Sequence, residues 1–99
     1  MRITTDQQAF ILIQVKDTFG DEAQVLLFGS RVDDTASGGD VDLLVEVPSP
    51  VDHPALQSSR LAARISRYMQ GRKIDVVVDA PNLDHLAIHA VAKRTGVRL

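Results

Sequence analysis

The sequence predicts an α+β domain, a mixed β-sheet with helices packed mainly on one face. Two observations carry this. Short apolar runs at residues 25–28, 40–47 and 73–79 are bounded by Gly, Pro or polar residues, as buried strands are. Three other stretches repeat apolar residues at helical spacing. The resulting order is helix, strand, strand, helix, strand, helix. A helix between the second and third strands allows a crossover, whereas the link between the first two strands also allows antiparallel pairing.

Each element has its own signal. Thr5 and Gln8 have the spacing of a capping box, and Ile11, Val15 and Phe19 then recur on one face. Gly20 closes this first helix, over about residues 6–19. Residues 29–39 form a loop, with room for one helical turn at its start. Pro48 and Pro50 stop the second strand, and Ser49 to Pro54 connects it onward. The second helix is expected over residues 55–70, with Leu56, Leu61, Ile65 and Met69 inward and Gly71 ending it. Pro81 stops the third strand. A third helix is expected over residues 82–94, with Leu83, Leu86, Ala87, Ala90 and Val91 on one face and Gly96 after it. Val97 to Leu99 can add a short edge strand.

The bulk numbers bound the function. The 99 residues make one small domain, residues 1–99, 44% hydrophobic, with a formal net charge of −2. That balance argues against binding a duplex by bulk phosphate neutralisation, which needs a basic surface; no direct nucleic-acid partner is expected. With no cysteine there is no disulfide framework and no thiolate metal site. No run approaches the ~18 apolar residues of a membrane span, and residues 1–8 lack a signal-peptide pattern, so a cytoplasmic protein is expected.

The most informative spacing places Asp40 and Asp42 after the pair Gly29-Ser30. In a strand, residues i and i+2 share a face, so the two carboxylates aim together, roughly 6–7 Å apart. Carboxylates held that close repel, and a divalent cation between them removes the repulsion while using their oxygens as hard ligands. Gly29 permits close backbone approach, and Ser30 offers a hydroxyl and an amide. Successive amides after a strand can cradle phosphate. Arg31 can clamp a phosphate as well. The combination suggests a site for a nucleoside triphosphate and its metal ions.

Phe28-Gly29-Ser30-Arg31, followed by Gly38-Gly39-Asp40-Val41-Asp42-Leu43-Leu44-Val45, resembles the signature of the DNA-polymerase-beta-like nucleotidyltransferases, in the minimal nucleotidyltransferase (MNT) branch. That family expects a third carboxylate on a later strand, and Lys73-Ile74-Asp75-Val76-Val77-Val78 offers Asp75. The resemblance runs from about residue 8 to the C-terminus. It implies a minimal nucleotidyltransferase core with Asp40, Asp42 and Asp75 as catalytic metal ligands and Gly29, Ser30 and Arg31 on the triphosphate. It implies Mg2+, with Mn2+ also suited, and ATP as substrate. Asp75 would serve the metal nearer the acceptor hydroxyl and help to deprotonate that hydroxyl. The chain leaves no helical domain to bind an acceptor, so the acceptor surface is expected on another molecule. Stand-alone proteins of this kind resemble the antitoxin of a HEPN–MNT pair, which implies a HEPN-domain ribonuclease toxin neutralised by AMP addition to a tyrosine. A contact-only antitoxin and a small-molecule transferase of antibiotic-modifying type are the alternatives.

The remaining polar residues read more simply. Arg60, Arg64 and Arg67 share a helical face and read as a solvated charged surface. His85 and His89 have the i, i+4 spacing of a zinc pair but lack a third ligand, and they read as surface or core-edge residues. Asp33 and Asp34 read as loop solvation, and Tyr68 as a core-edge aromatic.

Overall fold

Strand alternation sorts the sheet into two faces. In β1 (Gln24–Phe28), β2 (Val41–Glu46) and β3 (Ile74–Asp79), one set of side chains is Val25, Leu27, Val41, Leu43, Val45, Ile74 and Val78, all buried in a single core. The computed structural model describes residues 3–29 and 40–99. That core is closed by α1 (Thr5–Phe19) through Ile11 and Val15, and by α2 (Pro54–Tyr68) through Leu61 and Ile65. The opposite face carries Leu26, Phe28 and Leu44, covered by Ala92 of α3 (Ala87–Thr95) with Val77 packed against them. Two helices therefore lie on one face and the third crosses the other. β4 (Val97–Arg98) completes a four-stranded sheet in the order β3-β2-β1-β4.

The sheet is mixed, as expected. β1 pairs antiparallel with β2 and with β4, whereas β2 and β3, joined through α2, run parallel. The direct β2–β3 neighbourhood decides the site, because it sets Asp42 opposite Asp75.

Four local expectations need correction. The capping box sits one residue earlier: Gln7 N donates to Thr4 Oγ1 at 3.1 Å, and Thr4 N donates to Gln7 Oε1 at 2.9 Å. The Thr-x-x-Gln pattern occurs twice in overlap, and the earlier frame extends the helix through a further Gln8 N to Thr4 O bond of 2.9 Å.

Leu56 is 50% exposed rather than inward. It lies off the stripe set by Leu61, Ile65 and Met69, and Gln57 faces α1 instead, donating to Thr18 O at 3.2 Å.

α3 begins at Ala87, not near residue 82, and its buried residues are His89 and Ala92. Leu86 and Val91 are exposed. Asn82 is engaged elsewhere, donating to Val51 O at 2.8 Å and accepting from Val51 N at 2.9 Å. The helix therefore starts later, and the stripe projected from Leu83 has the wrong phase.

His89 is a core residue, 2% exposed. Leu86 N–H donates to its Nδ1 at 2.7 Å, which leaves Nε2–H to donate to Val78 O at 3.0 Å. The ring ties the start of α3 to the outer edge of β3. Tyr68 sits at the core edge, stacked on Phe10 with ring centroids 4.0 Å apart.

Candidate active site

Parallel register carries the site chemistry. Asp42↔Asp75, Leu44↔Val77 and Glu46↔Asp79 are partners across the β2–β3 ladder and point to the face that α3 crosses. This face therefore bears two acidic pairs, one at each end, with an apolar pair between them. Asp42 is also the partner of Phe28 on β1, so it stands in the middle of the three strands.

The two acidic pairs differ in compensation. Lys93 of α3 sits 2.5 Å from Asp79 and 3.9 Å from Glu46, and Arg98 of β4 sits 3.2 Å from Glu46. The hydrogen bond and charge of Lys93 hold the Asp79 carboxyl below its ordinary value, and Asp79 raises Lys93 in return.

No described cation closes on Asp42 and Asp75 in that way. The Asp42 carboxyl is pushed up from its ordinary value, first by burial, then by the charges of Asp75 and Asp40 and a side-chain hydrogen bond with Asp75. Lys73 acts weakly in the opposite sense.

Asp40 is half-buried just before β2. Its carboxylate lies 3.7 Å from Lys73 Nζ, an ion pair with both side chains well exposed. Sequence reading missed Lys73, although the signal follows from register. Val41 pairs with Ile74, so the residues preceding them, Asp40 and Lys73, stand together. Among the described residues, no three His, Cys, Asp or Glu side chains are gathered to hold a metal ion. The donor chemistry nevertheless suits a hard divalent cation, since Asp42, Asp75 and Asp40 offer only carboxylate oxygens and mutual repulsion for a cation to relieve.

Gly29 closes the site on the β1 side. Its φ is +76°, and a Cβ there would collide with the Asp42 carboxylate. Glycine is thus required twice, for backbone conformation and for space. Ser30 and Arg31, the other expected phosphate contacts, lie outside the described residues, as do Asp33 and Asp34 and the expected helical turn.

The remaining candidates do not join this centre. Arg64 pairs with Asp17 on α1 at 3.5 Å. His85 stacks beside His89 with centroids 5.1 Å apart. A cleft of about 820 Å³ opens at the far end of the sheet between Lys16, Glu46, Asp79 and Arg98. Asp42 and Asp75 are not among its lining residues.

An α+β sheet thus sets facing aspartates at the starts of two parallel strands, with a glycine turn against one of them. Residues 11–95 match the nucleotidyltransferase domain family, and the chain belongs to that family. No curated protein is detectably similar to it. Among the described residues, no helix is long and apolar enough to cross a membrane.

Proposed function

We propose that this domain moves AMP from ATP onto a hydroxyl of a partner protein, in the manner of a minimal nucleotidyltransferase. We further propose that the partner is a HEPN-domain ribonuclease toxin, that the acceptor is a tyrosine, and that AMP addition neutralises the toxin. The observation that carries the reading is the unequal treatment of the two acidic pairs. Glu46–Asp79 has its own cations, whereas Asp42–Asp75 is left crowded beside Gly29. Family membership supports nucleotidyl transfer. The net charge of −2 favours a protein acceptor over nucleic acid.

Asp42 and Asp75, with Asp40, would hold Mg2+ or Mn2+. The bound ion would supply positive charge against the α-phosphate. The chain's own groups do the rest. Gly29 leaves room for the Asp42 carboxylate at the turn, and Gly29, Ser30 and Arg31 would contact the triphosphate. Asp75, on the far side of Asp42 from Gly29, accepts the acceptor's proton. The acceptor oxygen bonds to the α-phosphorus as the bond to the β-phosphate oxygen breaks. Pyrophosphate leaves with that electron pair.

The test is a transfer assay with α-labelled ATP and magnesium against three acceptors: a HEPN-domain protein, a short RNA and an aminoglycoside. Label on the protein is expected. Binding and silencing of the toxin without label would replace transfer with inhibition by contact.

A further inference from the structure

The position of α3 divides its exposed side chains between the two ends of the sheet. At about 100° per residue, Ala92 and His89 share the side that meets the strands. Lys93 leaves that side on one flank and reaches Asp79 and Glu46. Ile88 and Val91 leave it on the other flank, opposite Lys93. Lys93 marks the Glu46–Asp79 end, so Ile88 and Val91 face the Asp42–Asp75 end. Leu44 and Val77 lie between, a single strand repeat of roughly 6–7 Å from the carboxylates. Ile88 is 40% exposed and Val91 39%, and Leu86 at the helix start is 57% exposed.

α3 also runs across the strands. His89 bonds Val78 on β3, and Ala92 packs on Leu26 and Phe28 of β1. Leu86 and Ile88 are therefore at the β3 side, where Asp75 stands, and away from Gly29 on β1. An in-line displacement brings the acceptor from the side opposite the leaving group. On the reading proposed above, pyrophosphate leaves near Gly29 and the acceptor enters over β3.

We infer that Ile88 and Val91 form the docking surface for an acceptor protein, and that this partner surrounds its accepting hydroxyl with apolar side chains. Branched aliphatic residues gain from covering another apolar surface and offer nothing to a phosphate backbone. Exposed Asp84, close by in sequence, and the carboxylate pair itself repel a polyanion. The inference rests on the proposed transferase reading and adds the face by which the acceptor arrives.

The test uses Ile88→Glu and Val91→Glu, with Ile88→Ala/Val91→Ala as a double variant that removes apolar area without adding charge. The probes are magnesium-ATP, read by thermal shift, and a HEPN-domain protein, read by calorimetry and by AMP transfer. Each variant should keep the wild-type magnesium-ATP shift while affinity for the protein falls at least about tenfold, in line with loss of buried interface anchors. Transfer should show the loss mainly in KM. Wild-type affinity in all three variants would overturn the inference, as would wild-type protein that labels a short RNA in preference to the partner. Absence of a magnesium-ATP shift in the wild type would overturn the transferase reading itself and the inference with it.

Discussion

Asp42 and Asp75 face each other across a parallel ladder, and Gly29 leaves no space for a side chain against Asp42. Charges on neighbouring strands roughly 5 Å apart repel by about 3 kcal/mol at an effective dielectric of 20, and solvent reduces that figure. The metal-free fold therefore carries a cost at its centre that a cation would remove.

Asp42→Asn should stabilise the metal-free protein at neutral pH by about 1 kcal/mol. The sign follows from the raised Asp42 value. The folded state holds that proton more tightly than the unfolded chain, so wild-type stability rises as pH falls through the folded value. The advantage of the asparagine should accordingly vanish below about pH 4. Urea midpoints across this range check it. A variant less stable than wild type at neutral pH would make Asp42 a structural residue.

Gly29→Ala should cost on the order of 1–3 kcal/mol, from the left-handed backbone and the collision with Asp42. It should also abolish the thermal shift given by magnesium-ATP, because relieving the collision moves the carboxylate. Wild-type stability together with a wild-type shift would mean that the turn at Gly29 does not shape the site.

Lys93→Met should loosen α3 by on the order of 1 kcal/mol, a figure kept small because Lys93 remains well solvated. Asp79 is depressed, so its contribution is present above its ordinary value and lost as pH falls through the folded value. Lys93 is raised, so its contribution is present below its ordinary value and lost as pH rises through the folded value. The difference between variant and wild type should therefore span about pH 4 to pH 10 and close at both extremes. Denaturant titrations at the ends and middle of that window check this, and an unchanged difference at the extremes would contradict it.

His89→Phe should destabilise by about 1–3 kcal/mol, since it leaves Leu86 N–H and Val78 O without their partner. Hydrogen exchange at the start of α3 should rise ahead of exchange in β2. No change in α3 protection would mean that the His89 ring does not hold the start of the helix.

Much of this was legible in the sequence. The strands announce themselves because Val41, Leu43 and Val45 are buried on one side and Leu44 on the other, giving a run that only a covered strand tolerates. The two-residue period of Asp-x-Asp argues for one shared face, and the structure sets Asp42 within β2 and Asp40 just before it, paired with Lys73. What local pattern could not supply was adjacency. Nothing in residues 40–46 says that β3 lies beside β2, so the Asp42–Asp75 contact and the Asp40–Lys73 pair emerge only with the fold. α3 misled for a related reason. Its stripe was phased from Leu83, but Asn82 is tied to Val51 and the helix begins only at Ala87. His89 read as peripheral because a buried histidine needs both ring nitrogens satisfied, and its partners, Leu86 N and Val78 O, are backbone groups that carry no sequence signature.

On the proposed reading, Asp75 takes the acceptor's proton at a site built around Asp42. The most direct measurement is the intact mass of the proposed HEPN-domain partner after incubation with magnesium-ATP and either wild-type protein or Asp75→Asn, each at matched native circular dichroism. With wild type the partner should gain one or more AMP units. With Asp75→Asn the rate should fall by about two orders of magnitude or more, while the magnesium-ATP thermal shift is largely kept. An Asp75→Asn rate within a few-fold of wild type, or a partner silenced by wild type with no gain in mass, would contradict the account.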